Sequence, residues 1–143
     1  MTVYLNHQHY GIIIPADVLM AIGKPKYIEL LRNDEKKRII IRGLLSKTDN
    51  SFTIPSSTYD NNLFVLPGGQ ELTRNAKNEF GWGNSLQAVE CCLVRDSADK
   101  SMALVDLNKA QPTDHIRGPF VMPEEFNDDD ESAEDDSDED SDD

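Results

Sequence analysis

The chain is poor in the residues that usually carry chemistry or anchorage. Its 143 residues include two cysteines, one tryptophan and three histidines, and aromatic residues make up 7%. Cys91 and Cys92 are neighbours. On a strand their side chains point to opposite faces, and a ring disulfide between them would strain the backbone, so free thiols in a reducing cytosol are expected. There is no second cysteine pair, and His7, His9 and His115 lack the spacing of a zinc site. His7 and His9 share one face of an N-terminal strand, but two imidazoles without a third ligand read as surface or packing residues. The sequence has no Gly-x-Ser-x-Gly, no HExxH and no phosphate-cradling glycine loop ending in Lys-Ser/Thr. No nucleophile or base can therefore be named, and the expectation is a non-enzyme without a cofactor. No apolar run approaches the roughly 18 residues that would span a bilayer, and the first twenty residues lack a basic start followed by an apolar core, so a cytoplasmic location without membrane contact is expected.

Positive charge is absent from the C-terminal end. The net charge of −13 divides unevenly: residues 1–122 carry all 14 Lys and Arg at a net of +1, while residues 123–143 carry 14 acids and no base. From Asn127 the run NDDDESAEDDSDEDSDD has no aromatic or β-branched residue, cannot bury enough apolar surface to offset chain entropy, and reads as a disordered acidic tail. Such a polyanion either keeps the protein soluble or competes with nucleic-acid phosphates for the chain's own cations. Ahead of it, Phe120, Val121 and Met122 lie between Pro119 and Pro123, with Phe126 beyond. The prolines argue against a helix there. The segment is either a last strand docked on the body or a short linear motif for a protein partner, with the docked strand preferred.

What the chain does have is a complete small unit between Tyr10 and Arg42. Gly11 permits a tight bend, Ile12 to Ile14 are stiff β-branched residues suited to a strand, and Pro15 pre-sets φ for a helix start. Val18, Leu19 and Ile22 give the helix one apolar face, and Gly23 supplies the left-handed residue that stops it. Tyr27 to Leu31 and Arg38 to Arg42 are two strand-like runs around the polar Asn33-Asp34-Glu35-Lys36 turn. The order is β-α-β-β.

That order, with Ile13-Ile14-Pro15 and the Gly23 stop, resembles the swapped-hairpin family of AbrB, MazE and SpoVT DNA-binding domains over roughly a third of the chain. The resemblance implies a β-barrel made by two interleaved copies, a mainly β fold with short helices, and a double-stranded DNA ligand. The second copy is either another chain, in a homodimer, or the second half of this one, as in the tandem arrangement of the relative MraZ. Val89-Glu90-Cys91-Cys92, the Asp96 to Asp99 turn and Met102 to Val105 echo Ile28 to Leu31, Asn33 to Lys36 and Ile39 to Ile41, and both hairpins carry a lysine just before the final strand. In the preferred alignment Pro67 is the second handover, Glu71 to Phe80 its helix with Leu72, Ala76 and Phe80 on one face, and Gly81 its stop. The parts would be a half at 1–48, a second half or divergent copy at 49–122, and the tail at 123–143.

The family's arginines do not carry over. Gly11 stands where they precede the apolar strand, and Ala16, Val18, Leu19, Met20 and Ala21 fill the helix. Lys24, Lys26, Lys36, Lys37, Arg38 and Arg42 are the candidate DNA contacts in their place, against the alternative that they solvate the hairpin edge. Arg74 and Lys77 on the second helix read as surface cations or phosphate contacts. Two functions are open. One is a DNA-binding transcriptional regulator or antitoxin-like protein. The other is a protein-interaction module that engages a basic partner through the peptide Phe120-Val121-Met122, Phe126 and the acidic tail.

Overall fold

The computed structural model describes residues 1–67 and 69–126. The handover at Pro15 is built as the residue types demand. Strand β1 (Thr2–His7) turns into β2 (Gly11–Pro15) through Gly11 at φ +83°, and Pro15, at φ −65° and ψ 155°, caps helix α1 (Ala16–Ala21). The helix stops where Gly23 takes φ +104° and the Gly23 and Lys24 amides donate to the Met20 and Leu19 carbonyls. Strands β3 (Tyr27–Asn33) and β4 (Arg38–Leu44) then pair as an antiparallel hairpin, with Leu30 facing Ile41.

After the short strand β5 (Phe52–Thr53) and a 3-10 turn over Ser56–Tyr59 come β6 (Leu63–Leu66), helix α2 (Gly69–Phe80), β7 (Gln87–Glu90), β8 (Cys92–Arg95) and β9 (Ser101–Asp106), a strand, a helix and then three strands where the first unit has two. Gly81, at φ +68°, follows α2 as expected, and α2 begins two residues earlier than its apolar spacing suggests. Two further short strands, β10 (Gln111–Pro112) and β11 (Phe120–Val121), follow among the described residues.

The strands form two sheets. One runs β10-β7-β1-β2-β6-β11 and the other β5-β3-β4-β9-β8. In the first, β2 lies antiparallel beside β6, with Ile13 opposite Val65. In the second, the two hairpins lie side by side through β4 and β9, with Ile40 opposite Leu104. Val3, Leu5, Ile12, Ile14, Phe64, Leu66 and Val89 from one sheet meet Ile28, Ile39, Ile41, Ala103 and Val105 from the other in a single core. Val18 and Leu19 of α1 and Ile22 just after it seal it, as do Ala76 of α2 and Trp82, whose ring stacks on Phe80 at 5.7 Å. Every residue from Gly11 to Ile14 is buried, because β2 is covered on both faces.

The fold is mainly β with short helices, and the sheets do not close into the barrel that the resemblance implies. The run from Gln87 to Arg95 passes from one sheet to the other, breaking at Cys91, whose amide donates to the Met1 carbonyl at 2.9 Å. The remaining edges are taken by β5, β10 and β11, drawn from chain that the β-α-β-β unit does not contain. β5 pairs with β3, β10 with β7 and β11 with β6.

Candidate nucleic-acid interface

The six candidate cations are not one patch. Lys36, Lys37 and Arg38 sit at the tip of the β3–β4 hairpin, and the tip is tied into the body. Lys37, at φ +58°, sends its Nζ to within 3.3 Å of Glu79 on α2, and the Arg38 guanidinium lies 3.9 Å from Asp106 on β9. The Asn33 carboxamide oxygen accepts from the Lys36 amide at 3.0 Å. The Lys36 and Lys37 carbonyls in turn accept from the Asn108 side chain and the Leu107 amide. Arg32 pairs with Asp34 at 2.9 Å. Most of the tip's positive charge is thus neutralised by carboxylates of the same chain.

Lys24, Lys26 and Arg42 gather at the other end of the hairpin. There they border an open groove of about 540 Å3 with Met20, Leu45 and Lys100. Lys24 holds its ammonium 5.3 Å from the Tyr59 ring centroid, and Lys26 holds its own 5.8 Å from that of Tyr27, contacts that position a cation without neutralising it. The Tyr59 hydroxyl donates to the Pro25 carbonyl, and burial pushes that phenol up to about 12, so it stays uncharged. Arg42 is bound to Glu29 across the β3–β4 ladder. Neither Lys24, Lys26 nor Lys100 is paired with a carboxylate among the described residues.

Lys100 was not among the candidates read from the sequence. It belongs to the tip of the β8–β9 hairpin, and the antiparallel pairing of β4 with β9 sets that tip against the base of the first hairpin. The signal was the lysine that precedes the last strand of each hairpin. The two lysines end differently because the helices differ. α1 has six residues and stops short, leaving the groove open beside Lys100. α2 has 12 and brings Leu72, Asn75 and Ala76 up to the first hairpin's tip, where the remaining cleft is about 90 Å3 and Glu79 holds Lys37.

The apolar C-terminal peptide is a docked strand. Phe120 and Val121 form β11, parallel to β6 opposite Leu63 and Phe64, and the Phe120 ring lies 5.5 Å from His7 and 5.2 Å from Tyr10. Met122 is half-buried, whereas Phe126 is 54% exposed, 6.4 Å from Phe52. His7 does not share a strand face with His9. Its Nδ1 accepts from the His9 and Tyr10 amides and so closes the β1–β2 turn. The acidic run from Asn127 lies outside the described residues. No helix among the described residues is long and apolar enough to cross a membrane. No family model, no curated protein and no solved structure matches this chain.

Proposed function

We propose that the chain is a DNA-binding regulator on a swapped-hairpin scaffold, with both β-α-β-β halves supplied by one polypeptide as an intrachain pseudo-dimer. The observation that carries this reading is the groove itself, because Lys24 and Lys26 from the first half meet Lys100 from the second. A rim built from both halves is what a duplex backbone engages when two copies act as one binding unit. Arg42, bound to Glu29, orients within the groove, and Lys36, Lys37 and Arg38 are secondary contacts at most, since two of the three are ion-paired. The tail from Asn127 carries 12 of the chain's 27 acidic residues and no base, and it competes with phosphate for the rim.

The test is a salt titration of duplex binding with the full chain and with a chain ending at Phe126. The shorter chain binds more tightly. Its log affinity falls with log salt at a slope of about −3, set by three neutralised phosphates. Replacing Lys24, Lys26 and Lys100 together with Ala removes that slope. Absence of duplex binding by either chain at low salt sinks the reading.

A second reading attaches to Phe126, which is exposed immediately before the acidic run. It treats the chain as a protein-interaction module that presents Phe126 and the tail to a basic partner. Phe120 and Val121 contribute little to it, because they are paired within the chain's own sheet. Capture of a basic protein by the full chain but not by the chain ending at Phe126, without duplex binding, favours this second reading.

A further inference from the structure

Between α2 and the end of β1, the structure holds a second cavity of about 450 Å3, lined by polar residues. Gln70, Thr73, Arg74 and Lys77 recur at one-turn spacing and put a polar stripe of the helix into it. The other wall is the irregular end of β1, where the register with β2 shifts and Asn6 adopts φ +63°.

The walls are held by the protein's own hydrogen bonds. The Asn6 side-chain Nδ2 donates to the Gly83 and Ser85 carbonyls at 3.0 and 2.9 Å, which fastens the loop carrying Asn84. The Gln70 side-chain Nε2 donates to the Gln8 and His9 carbonyls at 3.2 and 2.9 Å, and the Thr73 hydroxyl to the Gly69 carbonyl at 3.0 Å. Gly11 and Gly69 bring helix and strand so close that a Cβ on Gly11 would sit 2.3 Å from the Gln70 nitrogen. The cavity is thus framed before any ligand arrives.

Its charge is not satisfied from within. Arg74 and Lys77 face no carboxylate among the described residues, and none of the residues lining the cavity is acidic in a chain that carries 27 Asp and Glu. Lys77 has only the Asn84 carboxamide oxygen, at 3.5 Å. His7, also on the wall, is held below its ordinary pKa by burial first and by His9 and His115 next, so it adds a neutral donor rather than charge.

We infer that this cavity binds a small phosphate-bearing anion, with Arg74 and Lys77 taking the phosphate. A guanidinium fork beside an ammonium suits a tetrahedral dianion, whose oxygens outnumber the donors of either cation alone. The carboxamides of Gln70 and Asn84 then serve the polar remainder of an ester. The space matches a ligand the size of a sugar phosphate or a mononucleotide rather than a bare ion. The inference stands apart from duplex binding at the Lys24–Lys26–Lys100 groove, since it uses none of those residues.

The test is calorimetric titration of the full chain with inorganic phosphate, ribose 5-phosphate and adenosine monophosphate in separate arms. Saturable binding of at least one is expected. Arg74→Gln and Lys77→Gln should each weaken it about tenfold or more, while Lys24→Gln leaves it unchanged. Both replaced side chains are at the surface or half-buried, so an unaltered thermal transition serves as the folding control. Equal affinity for all three ligands makes phosphate the whole determinant, and tighter binding of an ester assigns the amides a reading role; either supports the site. No saturable binding of any of the three up to about 10 mM overturns it, as does an equal loss from Lys24→Gln. Weaker duplex binding by Arg74→Gln in a chain that ignores all three ligands also overturns it, and transfers Arg74 to the DNA surface.

Discussion

Ile13 and Val65 face each other across the β2–β6 pairing, and each stands two residues before a proline that precedes a helix. Ile40 and Leu104 hold the corresponding place between the two hairpins. The strands of residues 1–48 are therefore completed by strands from later in the chain, β6 beside β2 and β9 beside β4. Residues 1–48 alone keep β1 beside β2 and β3 beside β4 but lose β6 and β9 from their other edges, along with the core residues Phe64, Leu66, Val89, Ala103 and Val105. A peptide of residues 1–48 should show no cooperative unfolding transition by circular dichroism, whereas the chain through Phe126 unfolds in one step. In the intact chain, Ile13→Ala should cost about 2–5 kcal/mol in chemical denaturation, the range for emptying a closed aliphatic site.

Gly11 is constrained twice, by φ +83° and by the backbone of Gly69 and Gln70, which a Cβ would approach to 2.4 and 2.3 Å. A side chain there meets backbone atoms that cannot rotate away. Gly11→Ala should destabilise the protein by about 3 kcal/mol or more, combining left-handed strain with overpacking. Gly23→Ala is the control, because its φ of +104° is equally left-handed but nothing lies within 4 Å of its Cβ. A smaller loss at Gly23 than at Gly11, read from denaturation midpoints, separates crowding from strain.

These same residues show which parts of the structure are legible in sequence. The Pro15 start and the Gly23 stop are local chemistry, so α1 and the strands around it can be read directly, and Pro67 and Gly81 mark the second helix in the same way. The early start of α2 is not local. Gly69 fits against Ile12, where a Cβ would come within 2.5 Å of the Ile12 nitrogen, and only that long-range contact explains a glycine in the first turn. The break at Cys91 is likewise invisible in a run that reads as one continuous strand, and with it went the expectation of a closed barrel. The cations divided for a related reason. The Arg42–Glu29 pair follows from the hairpin register, but Glu79 beside Lys37 and Lys100 beside Lys24 depend on how α2 and the β8–β9 hairpin lie against the first hairpin.

The adjacent thiols should behave as two different groups. Cys91 is buried, its thiol within 3.4 Å of the Met1 carbonyl, and burial pushes its pKa up, whereas Cys92 is exposed on β8. Since the thiolate is the nucleophile, iodoacetamide at neutral pH should modify Cys92 and spare Cys91 until the protein is unfolded. Mass spectrometry of the peptide spanning both residues checks this. Equal labelling in the native protein would place Cys91 at the surface and remove it from the junction between the sheets.

Glu125 fixes the point from which the acidic run departs. Burial would raise its pKa, but hydrogen bonds from Lys47 and from the Thr53 hydroxyl and amide outweigh it and pull the carboxyl from 4.5 down to about 2. Lys47, 2.8 Å away, is raised in turn from 10.5, chiefly by that same hydrogen bond. The signs then set a window. A depressed carboxylate stabilises the folded state fully above 4.5, and its contribution disappears as the pH falls toward 2; a raised amine stabilises below 10.5, and its contribution is lost as the pH climbs past its folded value. The stability difference between the native chain and Glu125→Gln should accordingly be flat near neutrality and shrink between pH 4.5 and 2. Lys47→Gln should weaken the acid dependence without abolishing it, because both Thr53 donors remain. Denaturant midpoints measured from pH 2 to 8 test this, and parallel curves for the native chain and Glu125→Gln would show that the carboxylate is not held against β5 in solution.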